Sequence, residues 1–474
     1  MKIKGGDFLI HKTNPLSIFI PEEWNEEQIM LKDMVQDFLK KELHGLPEEP
    51  DASKDLSFIS NLLDKSAELG LCGLHINETY GGTNLDFNSG LLFTEAMSWG
   101  FSFATTLGAH VSIGSLPIVY YGNEEQKKKY LPKIATAEMK AAYALTEPSA
   151  GSDANSGKTK ATLDEANNRF LINGQKMWIT NAGFADLFVV FAKIENDKNL
   201  SAFIVEKSFG GITLGEEEKK LGIKGSSTRQ VFFNDCPVPS ENLLGEREGG
   251  FKIALNILNS GRIKLAAGSI GGAKFSLNKA ITYGIERKQF GKSIAEFAAM
   301  KHKMGEMARK IFAAESAIYR IGKNIDSKES ELRNEGKSEN EVKLEALREF
   351  AIECAMMKVY SSEVLDYCVD ESLQIHGGMG YSAETGVEMG YRDARITRIY
   401  EGTNEINRML AFAELMKRAF KTKELNLKEA GKKIPITLLK RFLRMQKLTS
   451  EKVIENYKHL FLILSKYAFD AFGM

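Results

Sequence analysis

Cysteine is scarce in this chain: Cys72, Cys236, Cys354 and Cys368 are the only four among 474 residues. They are too few and too scattered for a disulfide framework or a thiolate metal cluster, and no metal site is expected. A reducing compartment suits such usage. Net charge is missing too, since 63 Lys and Arg balance 63 Asp and Glu. A chain without a basic surplus lacks the electrostatic footprint of a nucleic-acid binder. No run of about 18 apolar residues is seen, which argues against a membrane-spanning helix. Met1 to Asp7 lack the basic-then-apolar layout of a secretory signal, so a cytoplasmic location is expected. What is present is ordinary for a globular protein, 43% hydrophobic and 27% charged. At roughly 150 residues per domain, the length fits about three domains.

Residues 1–24 read as an irregular arm. Asn25 opens a helix, with Gln28 three positions on as its capping-box partner. Leu31, Met34, Val35, Phe38 and Leu39 follow at helical spacing, and helical patterns continue to 142 with breaks at Tyr80-Gly81-Gly82 and near Gly122-Asn123. From 143 to 247 the pattern is of strands. Phe170-Leu171-Ile172 ends at the turn dipeptide Asn173-Gly174. Leu187–Ile194, Ala202–Val205 and Gln230–Phe233 are short and rich in Val, Phe and Ile, and Pro237 and Pro239 close the block. Such a series suits a small β-barrel or sandwich. From 248 to 415, helical segments at about 250–283, 294–325, 340–375 and 404–420 predict a helical bundle. The charged stretch 321–345 reads as a solvated helix end or loop. The fold class is therefore mainly α with a β middle domain. Residues 416–474 form a basic tail, with twelve Lys and Arg against three acidic residues over 417–452. Ile436, Leu439, Leu443 and Met445, beside Lys440, Arg441 and Arg444, suit a membrane-surface helix or a helix packed on another subunit.

Four stretches can carry chemistry. Leu145-Thr146-Glu147-Pro148-Ser149-Ala150-Gly151-Ser152-Asp153 lies where helix gives way to strand. Its small and hydroxylated residues let backbone N–H groups approach a flat polar ligand or a phosphate, or simply make a turn. Gly174 to Asn181 carries Trp178 beside Thr180. That indole can cover an aromatic ring, or it can be a core residue. Gln374-Ile375-His376-Gly377-Gly378-Met379-Gly380-Tyr381 marks a sharp helix end with close backbone approach. His376 there reads as a structural hydrogen-bonding residue before a catalytic one. In Tyr400-Glu401-Gly402-Thr403-Asn404-Glu405, Thr403 caps a helix. Tyr400 can desolvate Glu401 and raise its pKa toward a useful value for a base, and Gly402 leaves room for a substrate. An acid before a helix also serves plain dipole complementarity.

Together with Arg287-Lys288-Gln289-Phe290-Gly291-Lys292, these stretches occur in one order, and over about residues 25–415 the chain resembles the acyl-CoA dehydrogenase family. Thr106-Leu107-Gly108-Ala109-His110 and Lys220-Leu221-Gly222-Ile223-Lys224 are most similar to its very-long-chain branch and bacterial relatives. The resemblance implies a helical N-terminal domain, a β-barrel and a four-helix bundle. It implies FAD, held at the ring by Leu145, Thr146, Trp178, Ile179 and Thr180. Arg287, Gln289 and Phe290 would reach the FAD of a neighbouring subunit, with Gln374, Gly377 and Gly378 at its diphosphate and Thr403 and Glu405 at its adenine. Such sharing implies a homodimer or homotetramer. Glu401 would be the base, forming a trans-2-enoyl-CoA, with electrons passing to an electron-transfer flavoprotein. Some relatives place the base directly before an arginine matching Arg262; here that residue is Gly261, which cannot act. Arg262, Ser152 and Asn259 would contact CoA, while Tyr400 and Gly402 flank the acyl group. Gly108 and Ala109 leave volume for a long tail or allow close helix packing. Position 405 is Glu where many relatives have Gln or Asp, and the tail is shorter than in the long-chain branch. An acyl-CoA oxidase and a non-catalytic assembly factor are the alternative expectations.

Overall fold

A computed structural model describes residues 4–9, 11, 14–43, 49–425, 454–455 and 457–458. The apolar stripe expected at 436–445 lies outside the described residues.

The N-terminal helices are α1 (Glu26–Glu42), α2 (Leu56–Glu68), α3 (Phe87–Met97), α4 (Ser102–Gly108), α5 (Leu116–Tyr121) and α6 (Glu124–Ala135). The capping box is present as the sequence predicts: Asn25 Oδ1 accepts from Gln28 N, and Gln28 Oε1 accepts from Asn25 N. Those two bonds satisfy donors that α1 would otherwise leave orphaned. Val35, Phe38 and Leu39 form its buried stripe. Ser102–Tyr121 is long and apolar enough on average to pass for a membrane span, though Ser, Thr and His110 interrupt it; 72% of that window is buried inside the fold, as in a core helix. α4 continues through a π-helical turn, Ala109–Gly114, where His110 accepts from Ala141 N on the first strand.

The β domain is one eight-stranded sheet. Its strands are β1 (Ala141–Ala144), β2 (Lys160–Asp164), β3 (Arg169–Thr180), β4 (Leu187–Ile194), β5 (Ser201–Glu206), β6 (Ile212–Glu217), β7 (Thr228–Pro239) and β8 (Leu243–Leu244). The order is β6-β7-β3-β2-β4-β5-β8, with β1 parallel to β4. Alternate residues of β4 serve two cores. Phe188, Val190 and Ala192 join Phe170, Phe203 and Val231 inside the sheet, while Val189 and Phe191 pack with helical residues such as Leu116 and Ile257. Burial on both faces explains its unbroken apolar run. Asn173-Gly174 does not end a strand. It is a bulge within β3, where the register against β7 slips. Gly174 has φ +152°, and a Cβ there would fall 2.6 Å from Thr159 Oγ1, so only glycine fits.

A short hairpin, β9 (Lys288–Gln289) and β10 (Lys292–Ser293), follows α7 (Gly250–Glu286). Then come α8 (Ala298–Asn334), α9 (Glu339–Glu349), α10 (Ala351–His376), α11 (Gly378–Tyr381), α12 (Val387–Ala394) and α13 (Asn404–Met416). The charged stretch holds the expected helix end and exposed loop, at Asn334 and 335–338, but its earlier part is packed: α8 runs through it, and Glu329 is buried in ion pairs with Arg333 and Lys343. Paired charges let such a segment pack, which composition does not show. The long helix expected from 340 breaks at Phe350.

Candidate active site

Glu401 is positioned by the N-terminus of α13. Thr403 caps the helix, its hydroxyl accepting from Ile406 N. Just before the cap, Glu401 has φ +58° and Gly402 φ +79°. A glutamate in that left-handed region costs about 1–3 kcal/mol and needs its surroundings to hold it. Buried Asn407 does so, donating Nδ2 to the carbonyls of Glu401 (3.2 Å), Gly402 (2.7 Å) and Thr403 (3.1 Å). Lys358 of α10 adds bonds to Gly402 O (2.7 Å) and Asn404 Oδ1 (2.9 Å).

The Glu401 carboxylate rests on α7. A Cβ added to Gly261 would lie 2.6 Å from its Oε2 and 3.0 Å from Oε1. Glu401 Oε2 is shielded from solvent and has no hydrogen-bond partner. Burial pushes this carboxyl up to about 7, against the opposing pull of Arg262 and Lys358. A carboxylate with one shielded, unpartnered oxygen and a pKa raised toward neutrality is available to take a proton.

Glu401, Tyr400 and Thr180 share the wall of a cavity of about 280 Å³. Phe93, Met97, Gly108, Ala109, Gly268 and Phe275 contribute to its mostly apolar lining. A side chain at Gly108 would meet nothing within 4 Å, so this glycine leaves space rather than admitting a neighbouring helix.

The loop after β1 is clamped by β3. Lys176 is fully buried and donates Nζ to Leu145 O (3.1 Å) and Glu147 Oε1 (2.7 Å). Met177 N donates to Thr146 O at 2.9 Å. Glu147 also accepts from the N–H groups of Lys158 and Thr159. Burial works against its ionisation, but Lys176 and these donors hold Glu147 below the usual carboxylate range. One residue on, β3 slips register between Lys176 and Ile179, and Trp178 takes φ +61°. The bulge turns its indole outward, 51% exposed, which overrules the core reading. Ile179 returns to the interior and Thr180 reaches the cavity.

The remaining predicted residues stand outside that cavity lining. Arg287, Gln289 and Phe290 are exposed on the β9–β10 hairpin, Phe290 at 92%. Gln374, Gly377 and Gly378 are exposed at the end of α10, and a Cβ on either glycine meets nothing within 4 Å. Glu405 is exposed beside the Thr403 cap. His376 stacks on Tyr283 at 4.3 Å and bonds Ser372 O through Nδ1, a structural role. Ser152 is exposed, whereas Arg262 is buried and donates to Asn259 Oδ1 at 2.6 Å. Arg262 also acts on Glu401, pulling its carboxyl down against the effect of burial. Lys176, Glu147, Lys358 and Asn407 were not singled out by sequence. Their signal was a polar residue placed where the surrounding pattern demands burial. Among the described residues no group of three or more His, Cys, Asp or Glu could hold a metal.

Three family models match in succession: the acyl-CoA dehydrogenase N-terminal domain over residues 25–138, the middle domain over 142–236 and the C-terminal domain over 248–416. A probable acyl-CoA dehydrogenase of Bacillus subtilis is 45% identical over 99% of this chain and 78% of its own length. The human mitochondrial very long-chain specific acyl-CoA dehydrogenase is 40% identical over 76% of this chain, which spans 53% of it. An acyl-CoA dehydrogenase complexed with FAD from Bacillus anthracis superposes with a TM-score of 0.92 at 43% identity, covering 99% of this chain and 80% of that one.

Proposed function

The chain belongs to the acyl-CoA dehydrogenase family, and from that premise we propose that it oxidises long-chain acyl-CoA thioesters to trans-2-enoyl-CoA in fatty-acid β-oxidation, with Glu401 as base. The observation that carries this reading is the Glu401 carboxylate, its Oε2 shielded and without a hydrogen-bond partner, on the wall of a mostly apolar cavity.

The residues present fit FAD. Trp178 is held outward by a positive-φ bulge, the Leu145–Glu147 loop is fixed from beneath, and Gly377 and Gly378 leave their backbone open. Leu145, Thr146, Trp178, Ile179 and Thr180 would hold the ring end. Arg287, Gln289, Phe290, Gln374, Gly377, Gly378, Thr403 and Glu405 would hold the remainder, in part from a second copy of the chain. When bound, FAD supplies the two-electron acceptor. Glu401 takes the proton from the carbon next to the thioester. Its own backbone N–H donates to no protein group among the described residues and is open to the thioester oxygen, where charge develops. The mostly apolar lining suits an acyl chain, and the space at Gly108 supports a long tail. An electron-transfer flavoprotein as acceptor and a homo-oligomer complete the proposal.

The test is an anaerobic titration of the yellow holoprotein with acyl-CoAs of graded length. Palmitoyl-CoA is expected to bleach it, with the tightest response at long chains. No bleaching by any acyl-CoA would reject the reading, and peroxide formed without an added acceptor would favour an oxidase. Because the base works deprotonated, kcat/KM is expected to rise about tenfold per pH unit up to about pH 7 and then level, as a pH–rate profile would show.

A further inference from the structure

Lys264 lies one turn along α7 from Gly261, so both positions share a helix face and both line the Glu401 cavity. The chemistry at Glu401 makes no use of it. Its Nζ is 2.7 Å from His75 Nε2 and 3.5 Å from Ser112 Oγ. Lys264 is 8% exposed, and among the described residues no carboxylate pairs with it. Burial, reinforced by the like charge of Lys343, pulls Lys264 down to about 7, and His75 stays well below its ordinary value.

A buried amine without a counter-ion is an expensive arrangement beside an apolar tail, where a leucine or methionine would close the wall. The polar character also continues past it. His75 and Lys264 line a second cavity of about 390 Å³, together with Asn77, Asn84, Lys127 and Lys343. The acids at that cavity are already engaged. Glu124 accepts from the Tyr80 hydroxyl, and Glu339 pairs with Arg333. His75 and Lys264 thus stand on the walls of both cavities, a cationic, hydrogen-bonding pair one helix turn from Gly261, against which Glu401 rests.

We propose that Lys264 and His75 receive the far-end carboxylate of ω-carboxyacyl-CoA thioesters, so that the enzyme dehydrogenates dicarboxylic chains as well as methyl-ended ones. The proposal rests on the acyl-CoA reading above. The reaction at the α and β carbons is unchanged; Lys264 acts on specificity. An incoming carboxylate supplies the missing counter-charge and accepts a charge-assisted hydrogen bond from Lys264.

The experiment measures kcat/KM of the holoenzyme for ω-carboxyacyl-CoAs of graded length and for methyl-ended acyl-CoAs of the same lengths. In the wild type the ratio between the two series is expected to peak at one chain length, because Lys264 sits at one distance from Glu401. In Lys264→Met, that peak ratio is expected to fall at least about 30-fold. A ratio that declines smoothly with no peak overturns the proposal, and this holds even if the variant fails to retain FAD. So does an equal change of both series in a folded, yellow variant. Failure of every methyl-ended substrate instead rejects the underlying acyl-CoA reading.

Discussion

Glu401→Gln lowers kcat for acyl-CoA oxidation by roughly 10²–10⁴-fold, while the protein is purified yellow. Gln keeps the side chain's shape, and the hydrogen bonds of Asn407 and Lys358 go to the 401–404 backbone and to Asn404, so the loop stays in place. What is lost is the proton acceptor, and Gly261 offers none in its stead. Stopped-flow bleaching by palmitoyl-CoA measures the effect, and a turnover within tenfold of wild type would remove Glu401 from its role. Thermal unfolding separates this outcome from misfolding. The carboxyl titrates near 7 in the fold against about 4.5 when unfolded, so its charge opposes folding above neutrality. That penalty is absent below about pH 4.5, grows toward pH 7 and is full above it, reaching up to about 3 kcal/mol. The Gln variant without FAD should therefore unfold at a higher temperature than wild type at pH 8, and the gain should vanish in acid.

Lys176→Met is the second large effect, and it falls on folding and FAD retention rather than on chemistry. The substitution leaves the Glu147 carboxylate buried beside two backbone donors with no cation, and it frees the Leu145 carbonyl. Removing one partner of a buried pair costs about 3–5 kcal/mol. A marked drop in melting temperature is expected, with the visible absorbance per protein falling as the loop at 145–147 loosens. The double variant Lys176→Met, Glu147→Gln should recover part of the loss, because the stranded charge is gone. Calorimetry together with the absorbance ratio checks both. A single variant as stable and as yellow as wild type would show that the clamp is dispensable.

Local signals were legible in the sequence where the physics is local. The Asn25–Gln28 box needs only four residues, and the double burial of β4 shows as an uninterrupted apolar run. Glu401, Gly402 and Thr403 announce a turn and a cap. Features that depend on register or on distant partners were not legible. Asn173-Gly174 has turn chemistry, but pairing of β3 with β7 on both sides makes it a bulge. Trp178 is turned outward by a second slip that no periodicity reveals. Glu329 looks solvated until Lys343 and Arg333 are seen around it. The burial of Arg262 and its bond to Asn259 depend on how α7 packs, which residue type alone does not show.

The contact between Gly261 and Glu401 has a consequence for how such enzymes diverge. A side chain grown from α7 at 261 would meet the tip of the Glu401 side chain and push it aside. Under the proposed mechanism, moving the acid from the α13 turn to the helix beneath it therefore takes two exchanges, one at 261 and one at 401.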